Sequence, residues 1–333
     1  MAMKALSKAT IYQVAQLAGV SIATVSRAMR DSDLVTEQTR ERVLAAAKQL
    51  RFTPSRAGRS LAEGRHAANG IVFPDLVGPY YAEVILGYEA TAAGFGSSVL
   101  ILATGGRTDA DAAVRELATR VDGLTVMGQT VSDEVIAELR LPVVLLARDP
   151  VPGVDTVRAQ NARTARSLVE HLLGHGHRRF TFLGDPAGSP DVRGRYDGVR
   201  AGLKRAGVEP ADLVPTKGFD LEAGKEAAKA LQPGTAVVCA NDELALGVLL
   251  AAEEAGLRVP QDLAVTGWDD LLAARFAGLT TVRQPMRELG ATAARWLNRR
   301  ITDDMPAAAR RRVLATQLVV RRSCGIHSPE VHR

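Results

Sequence analysis

Along the first fifty residues, apolar positions recur at helical spacing in three short runs. Val14, Ala15, Leu17 and Ala18 predict a helix with one buried stripe, N-capped by Thr10 with Gln13 three residues on in capping-box spacing and ended by Gly19. Ser21 caps a second helix over 22–29, which turns Val25 with Ala28 or Met29 inward and leaves Ile22, Ala23, Ser26 and Arg27 outside. A third runs from a Thr36 cap to Leu50, with Val43, Leu44, Ala47 and Leu50 on its inner face. Two helices joined by a glycine turn are the helix-turn-helix signature, and the three together are sized for a small DNA-binding headpiece. Next, Pro54 can open and Gly64 close a short helix. Isolated helices below ~12 residues are marginal in water and Gly58 weakens this one further, so it is expected to be helical only when supported, as on DNA. Leu61, apolar among Arg56, Arg59 and Arg65, has the chemistry of a minor-groove wedge.

From Gly70 onward the pattern changes to short apolar runs alternating with amphipathic stretches. Strands are predicted at 71–73, 98–102, 123–127, 143–146, 155–158, 179–183, 236–240, 263–267 and 318–321. Helices are predicted at 80–93, 110–118, 161–174, 195–206, 221–230, 243–255 and 286–300. Apolar strands alternating with helices imply doubly wound parallel sheets. Some 260 residues of this exceed one sheet of usual size, so the fold class is an all-α headpiece and hinge followed by an α/β core of two doubly wound lobes with a cleft between them. Ligands in such folds sit beyond the carboxyl ends of the strands.

Composition adds one decisive asymmetry. The chain of 333 residues carries a net charge of +5, but through His66 there are eleven Lys and Arg against five Asp and Glu, leaving −1 for the remainder. A basic excess confined to the headpiece suits a phosphate backbone. Cys239 and Cys324 are isolated in apolar runs, which indicates buried thiols in a reducing compartment. The start MAMKALSKAT lacks a signal-peptide core and no apolar run approaches the ~20 residues of a membrane span, so a cytoplasmic location and no membrane partner are expected.

Catalytic signatures are missing. Thr104-Gly105-Gly106-Arg107 lacks dinucleotide-binding spacing, Gly184-Asp185-Pro186 is a strand end, and no phosphate loop or nucleophile elbow occurs. His171, His175 and His177 lie close together, but no carboxylate or cysteine completes a metal set at a usable spacing, so neither metal, cofactor nor enzymatic activity is expected. A solute receptor of periplasmic-binding-protein type is the alternative. The basic headpiece argues against it.

The segments TIYQVAQLAGVSIATVSRAM and PSRAGRSLAEGR, followed by VDGL, HLLGHGHRRF, RYDGVRAGL, CANDELALG, GLRVPQDLAVTGWDD, LTTVRQP with RELG, and QLVVRRS, resemble the LacI/GalR family of bacterial transcriptional regulators over nearly the whole chain. The resemblance implies a headpiece at 1–52, a hinge helix and linker at 53–68, and a core at 69–333 similar to periplasmic sugar-binding proteins. Its N-lobe would span about 69–160 and 285–312, its C-lobe about 161–284 and 313–327, with three crossings. It also implies a homodimer on a near-palindromic double-stranded DNA operator, most simply a repressor, whose headpiece spacing responds to a small molecule in the cleft. Without a C-terminal heptad run, a dimer is expected over a tetramer.

By the same resemblance the second helix enters the major groove, with Ile22 and Ala23 first in line. Neither can hydrogen-bond a base edge, so they discriminate through apolar contact with thymine methyls, and polar reading falls to Thr24, Ser26 and Arg27, the last suited to guanine. Thr10, Tyr12 and Ser21 suit phosphates, as does Arg30, which stands where the family usually has asparagine. Carried over by motif, the cleft is expected to hold Asp75, Tyr80, Tyr81, Arg148, Arg195, Phe219, Asn241, Asp269 and Gln284, a set fitted to a sugar, polyol or nucleoside. Arg193 and Arg148 are extra cations that either favour an anionic or phosphorylated ligand or form a solvated cleft rim. Gln160-Asn161 and Ala147 replace two carboxylates usual in the family, which withholds any particular sugar.

Overall fold

The structure, a computed structural model, describes residues 9–29, 33–52, 65–303 and 308–325. The chain divides into two compact units, Met1–His66 and Ala67–Arg333.

In the first unit, α1 (Ile11–Ala18), α2 (Ile22–Ala28) and α3 (Glu37–Gln49) follow the predicted caps. The Thr10 N–H donates to Gln13 Oε1 at 2.8 Å while the Gln13 N–H donates to Thr10 Oγ1, and Gly19 ends α1 at a φ of 66° that favours glycine. Val14, Val25 and Val43 are fully buried, with Ala15, Ala18, Ala28, Ala46 and Ala47 closing around them. Leu17 and Leu44 depart from expectation and stand 47% and 48% exposed. At about 100° per residue, each lies roughly a quarter-turn from the stripe that its helix buries. Arg30, and the predicted hinge helix with Leu61, lie outside the described residues.

The second unit opens with β1 (Ala68–Phe73), α4 (Pro79–Gly94), β2 (Ser98–Ala103), α5 (Ala110–Ala118) and β3 (Gly123–Met127). There follow α6 (Asp133–Glu138), β4 (Val143–Leu146), β5 (Asp155–Ala159), α7 (Ala162–Gly174) and β6 (Phe180–Leu183). Next come α8 (Pro190–Arg205), β7 (Asp212–Val214), α9 (Leu221–Ala228), β8 (Thr235–Cys239) and α10 (Asp242–Glu254). The remainder is β9 (Leu263–Thr266), α11 (Leu272–Ala277), β10 (Thr281–Arg283), α12 (Met286–Thr302), β11 (Arg311–Leu314), β12 (Gln317–Val319) and a 3-10 turn, Arg322–Cys324.

Two parallel sheets organise these elements, ordered β11-β5-β4-β3-β1-β2 and β7-β6-β8-β9, while β10 and β12 pair antiparallel. Their central strands are buried along their whole length because helices cover both faces, as continuous Val, Ile and Leu runs require. The chain leaves the first sheet after β5, returns through α12 and β11, and leaves again into β12. Since β11 holds it in that sheet through Leu314, the last crossing falls just beyond the expected 312. The strands β7, β10 and β11 and the helices α6 and α11 escaped prediction, being short or, in β11, polar at the sheet edge. The apolar run at 318–321 does not join a parallel sheet, forming instead the antiparallel β12.

Two close contacts and one helix start shape this unit. Helices α4 and α12 approach so nearly that a Cβ at Gly290 would sit 2.1 Å from the Val84 carbonyl oxygen, a distance only glycine permits. Buried Asp155 accepts hydrogen bonds from the Arg300 and Arg310 guanidiniums, tying α12 and β11 to β5. Burial alone raises the pKa of this carboxyl, but the two arginines outweigh it and hold the group below the ordinary range. Third, α8 starts at Pro190, five residues before the predicted Arg195, because Ser189 caps it by accepting from the Val192 N–H.

Candidate functional site

The outward face of α2 carries Ile22, 39% exposed, with Ala23 and Arg27. Thr24 and Ser26 are half-buried, and the Thr24 hydroxyl lies 2.9 Å from Ser21 Oγ within the cap. Capping thus already engages two of the expected polar groups, and Arg27 is the long cation on this face. Tyr12 is 68% exposed on α1, beside Thr10 at its cap.

In the second unit a cleft of about 470 Å³ opens between the carboxyl ends of the two sheets, within the range of small-molecule sites. From the first sheet it is lined by Asp75 after β1, Tyr80 and Tyr81 at the start of α4, Gln129 after β3 and Ala147 after β4. Across from them stand Asp191 and Arg195 of α8, Lys217, Phe219 and Asp220 before α9, Asn241 and Glu243 after β8, and Asp269 after β9. Seven predicted residues therefore converge: Asp75, Tyr80, Tyr81, Arg195, Phe219, Asn241 and Asp269.

Arg195 is the hub. Its side chain is buried, Nε donating to Asn161 Oδ1 at 3.1 Å and Nη1 to the Ala240 carbonyl at 2.6 Å, with the guanidinium 4.8 Å from the centre of the Trp268 ring. Asn161 in turn donates to Asp191 Oδ1 at 2.8 Å, and so takes a bridging role at the first crossing. Asn241 caps α10 by accepting from the Leu244 N–H, and its amide donates to the Phe219 carbonyl, placing that ring. Asp269 is held at a φ of +119°, unusual for a non-glycine residue, by its N–H bond to the Val282 carbonyl.

Burial dominates the electrostatics. It lifts the Asp269 carboxyl to about 7, against the pull of Arg195 and of the Gln284 amide at 2.6 Å, with Glu243 and Asp191 adding to the rise. Asp191 is raised by the same cause, Arg195 and Arg158 opposing it. Burial also pushes Tyr81 to about 12 and Tyr80 well above the ordinary phenol value. The Tyr80 hydroxyl finds no hydrogen-bond partner among the described residues, so it has a donor and lone pairs to offer a ligand hydroxyl. A carboxyl raised in the folded state favours a protonated native protein, so its contribution to stability falls as pH rises from the ordinary carboxylate range toward about 7 and is constant above. Conversely, a ligand hydroxyl donating to ionised Asp269 should bind more tightly as pH rises to about 7, with proton release on binding below that. Titration calorimetry in two buffers of different ionisation enthalpy at about pH 6 reads that release; heats identical in both would rule the assignment out.

Three expected residues do not line the cleft. Arg148 is buried and turned away, donating to the Gly128 carbonyl at 2.9 Å and to Asp133 at 2.5 Å. Arg193 projects from α8 to an ion pair with Asp149, which Arg158 joins. Gln284 stands behind Asp269 and positions it. Sequence reading missed Asp191, Gln129, Lys217, Asp220 and Glu243. Asp191 was legible in principle, since Ser189-Pro190 is a helix start that puts the next residue in the first turn.

A helix-turn-helix unit joined to a two-lobed α/β core with a polar cleft defines a ligand-responsive DNA-binding regulator. A model of bacterial regulatory proteins of the lacI family matches residues 10–55, and one of a periplasmic binding protein-like domain matches 169–324. The HTH-type transcriptional repressor CytR of Escherichia coli K12 is 34% identical over 302 residues, covering 87% of this chain and 89% of its own. The ribose operon repressor of the same organism is 33% identical over 330 residues, covering 94% and 99%. The lac repressor dimer bound to operator and the anti-inducer ONPF matches with a TM-score of 0.86 at 27% identity, over 96% of this chain and 100% of that one. The chain belongs to the lacI family of bacterial regulatory proteins. It is a DNA-binding transcriptional regulator, and the receptor alternative falls because these matches span the headpiece and the core alike. No helix among the described residues is long and apolar enough to cross a membrane.

Proposed function

We propose that this regulator represses transcription in the cytoplasm as a homodimer on a near-palindromic operator, without catalytic activity, and that a neutral hydroxylated molecule, a sugar, polyol or nucleoside, binds in the cleft and sets operator affinity. The observation that carries this reading is the lining itself: the carboxylates of Asp75, Asp191 and Asp269, the Asn241 amide and the Tyr80 hydroxyl surround Arg195, with aromatic rings from Tyr81 and Phe219 at hand. Such groups accept from and donate to vicinal hydroxyls while a ring packs on the sugar or base face. With Arg148 and Arg193 committed to Asp133 and Asp149, carboxylates outnumber cations along the wall, and that argues against a phosphorylated ligand. The relatives add support, since one represses a ribose operon and another is seen as a dimer on operator DNA.

The test is a thermal-shift screen of sugars, polyols and nucleosides on the full chain, followed by operator titration with each hit. A ligand at 100 times its Kd should add about 2.7 kcal/mol of stability, and its effect on operator affinity gives the sign of regulation. Stabilisation only by sugar phosphates would replace the neutral-ligand reading with an anionic one.

A further inference from the structure

Remote from the cleft, at the far end of α7, three groups with strong affinity for transition metals meet. His171 and His175 lie one turn apart on the helix, their rings edge to face at 4.7 Å, and the 3-10 turn brings Cys324 beneath them. His171 Nε2 is 3.3 Å from Cys324 Sγ, and one ligand atom from each of the three residues lies within 4.8 Å of the others. Local sequence showed only the histidine pair; the sulfur arrives from 153 residues away. A tetrahedral ion with bonds of about 2.0–2.3 Å holds its ligand atoms about 3.3–3.7 Å apart, so the histidine–sulfur edge is already at that length and modest rotation of the imidazole rings closes the rest.

Surrounding contacts fix the sulfur. Ser323 donates to the Val265 carbonyl and accepts from the Thr280 N–H, anchoring the turn to β9. His177 Nε2 meets the Cys324 carbonyl at 2.8 Å, and the Thr280 hydroxyl, which donates to the Arg321 carbonyl, lies 2.9 Å from Sγ. Both histidines are half-buried, so an ion has a path in, while the cysteine is fully buried. We propose that His171, His175 and Cys324 form a site for a borderline divalent transition ion, zinc in the first instance, with a fourth position left to an exchangeable ligand. Two imidazoles and a thiolate suit zinc over magnesium or calcium, which prefer oxygen. When filled, the site cross-links α7 to the C-terminal turn.

The full chain, stripped with a chelator under reducing conditions, should take up one equivalent of Zn²⁺ in competition with a chromogenic chelator. Co²⁺ in its place should produce a near-ultraviolet thiolate charge-transfer band. C324S should abolish that band, and H171A and H175A should each weaken binding by more than the roughly 10- to 100-fold of an outer-shell change. Half-buried His175 at the helix end is the variant least tied to the core, so its effect is readable even if C324S folds poorly. Absence of the cobalt band in the unmodified protein overturns the proposal. So does metal binding that survives in these variants and disappears only when His327 and His332 are replaced, which would assign the ion to the tail histidines.

Discussion

Replacing Arg27 with alanine is expected to lower operator affinity by about 1–3 kcal/mol, roughly 5- to 150-fold, while leaving binding to random-sequence DNA nearly unchanged. The expectation follows from what α2 offers. Ile22 and Ala23 have no hydrogen-bonding side chain, Thr24 is engaged with Ser21 in the helix cap, and Ser26 is half-buried. Only Arg27 combines exposure on that face with a planar fork able to take the two acceptors of a guanine. A phosphate contact, by contrast, would weaken all DNA alike and flatten the salt dependence. The measurement is a gel-shift series on a selected operator and on scrambled DNA at several salt concentrations. Parallel losses on both DNAs would dismiss Arg27 as a base reader.

The second large effect is expected from Arg195→Met. The guanidinium lies between carboxyls that burial already lifts, and its charge opposes the rise at both Asp191 and Asp269. Methionine fills similar volume but removes the cation, leaving Asn161 Oδ1 and the Ala240 carbonyl without their donor. A loss of about 3–5 kcal/mol in stability is expected near neutral pH, with effector binding reduced by on the order of a hundredfold or more. The sign of the pH dependence is specific. Asp269 is uncharged below about 7, so less charge is left uncompensated there and the deficit against the parent protein should shrink as pH falls. Urea unfolding of both proteins at about pH 5 and about pH 8 reads this directly. A deficit equal at the two pH values would mean that Arg195 acts through packing on Trp268 and not through the carboxyls.

Much of this protein is legible in its sequence because the relevant signals are local. Capping spacing placed α1, α2 and α3, since a cap satisfies backbone groups within three residues of itself. Apolar runs located the buried parallel strands, and the family resemblance supplied Asp75, Asn241 and Asp269, which stand beyond strand ends where such folds bind ligands. The failures are instructive in the same terms. Leu17 and Leu44 belong to the apolar stripes read from helical spacing, but rotation of about 100° per residue carries each a quarter-turn from the face that packs. The edge strand β11 was missed because arginines fill two of its four positions, which only its pairing with β5 makes regular.

What the sequence by itself determined is the architecture and the chemical repertoire: a second helix with an apolar tip and one outward arginine, parallel sheets, and carboxylates and amides at strand ends. Which of those groups work together was decided by tertiary structure. On sequence alone Arg148 and Arg193 serve either an anionic ligand or a solvated cleft rim, but Asp133 and Asp149 draw them away from the cleft. Asp191 enters through the early start of α8 and meets Asn161 thirty residues away, and Cys324 reaches His171 across 153. Helical and strand periodicity is written into neighbouring residues, whereas the direction of a long side chain depends on the partner that packing sets before it, and that partner can come from any part of the chain.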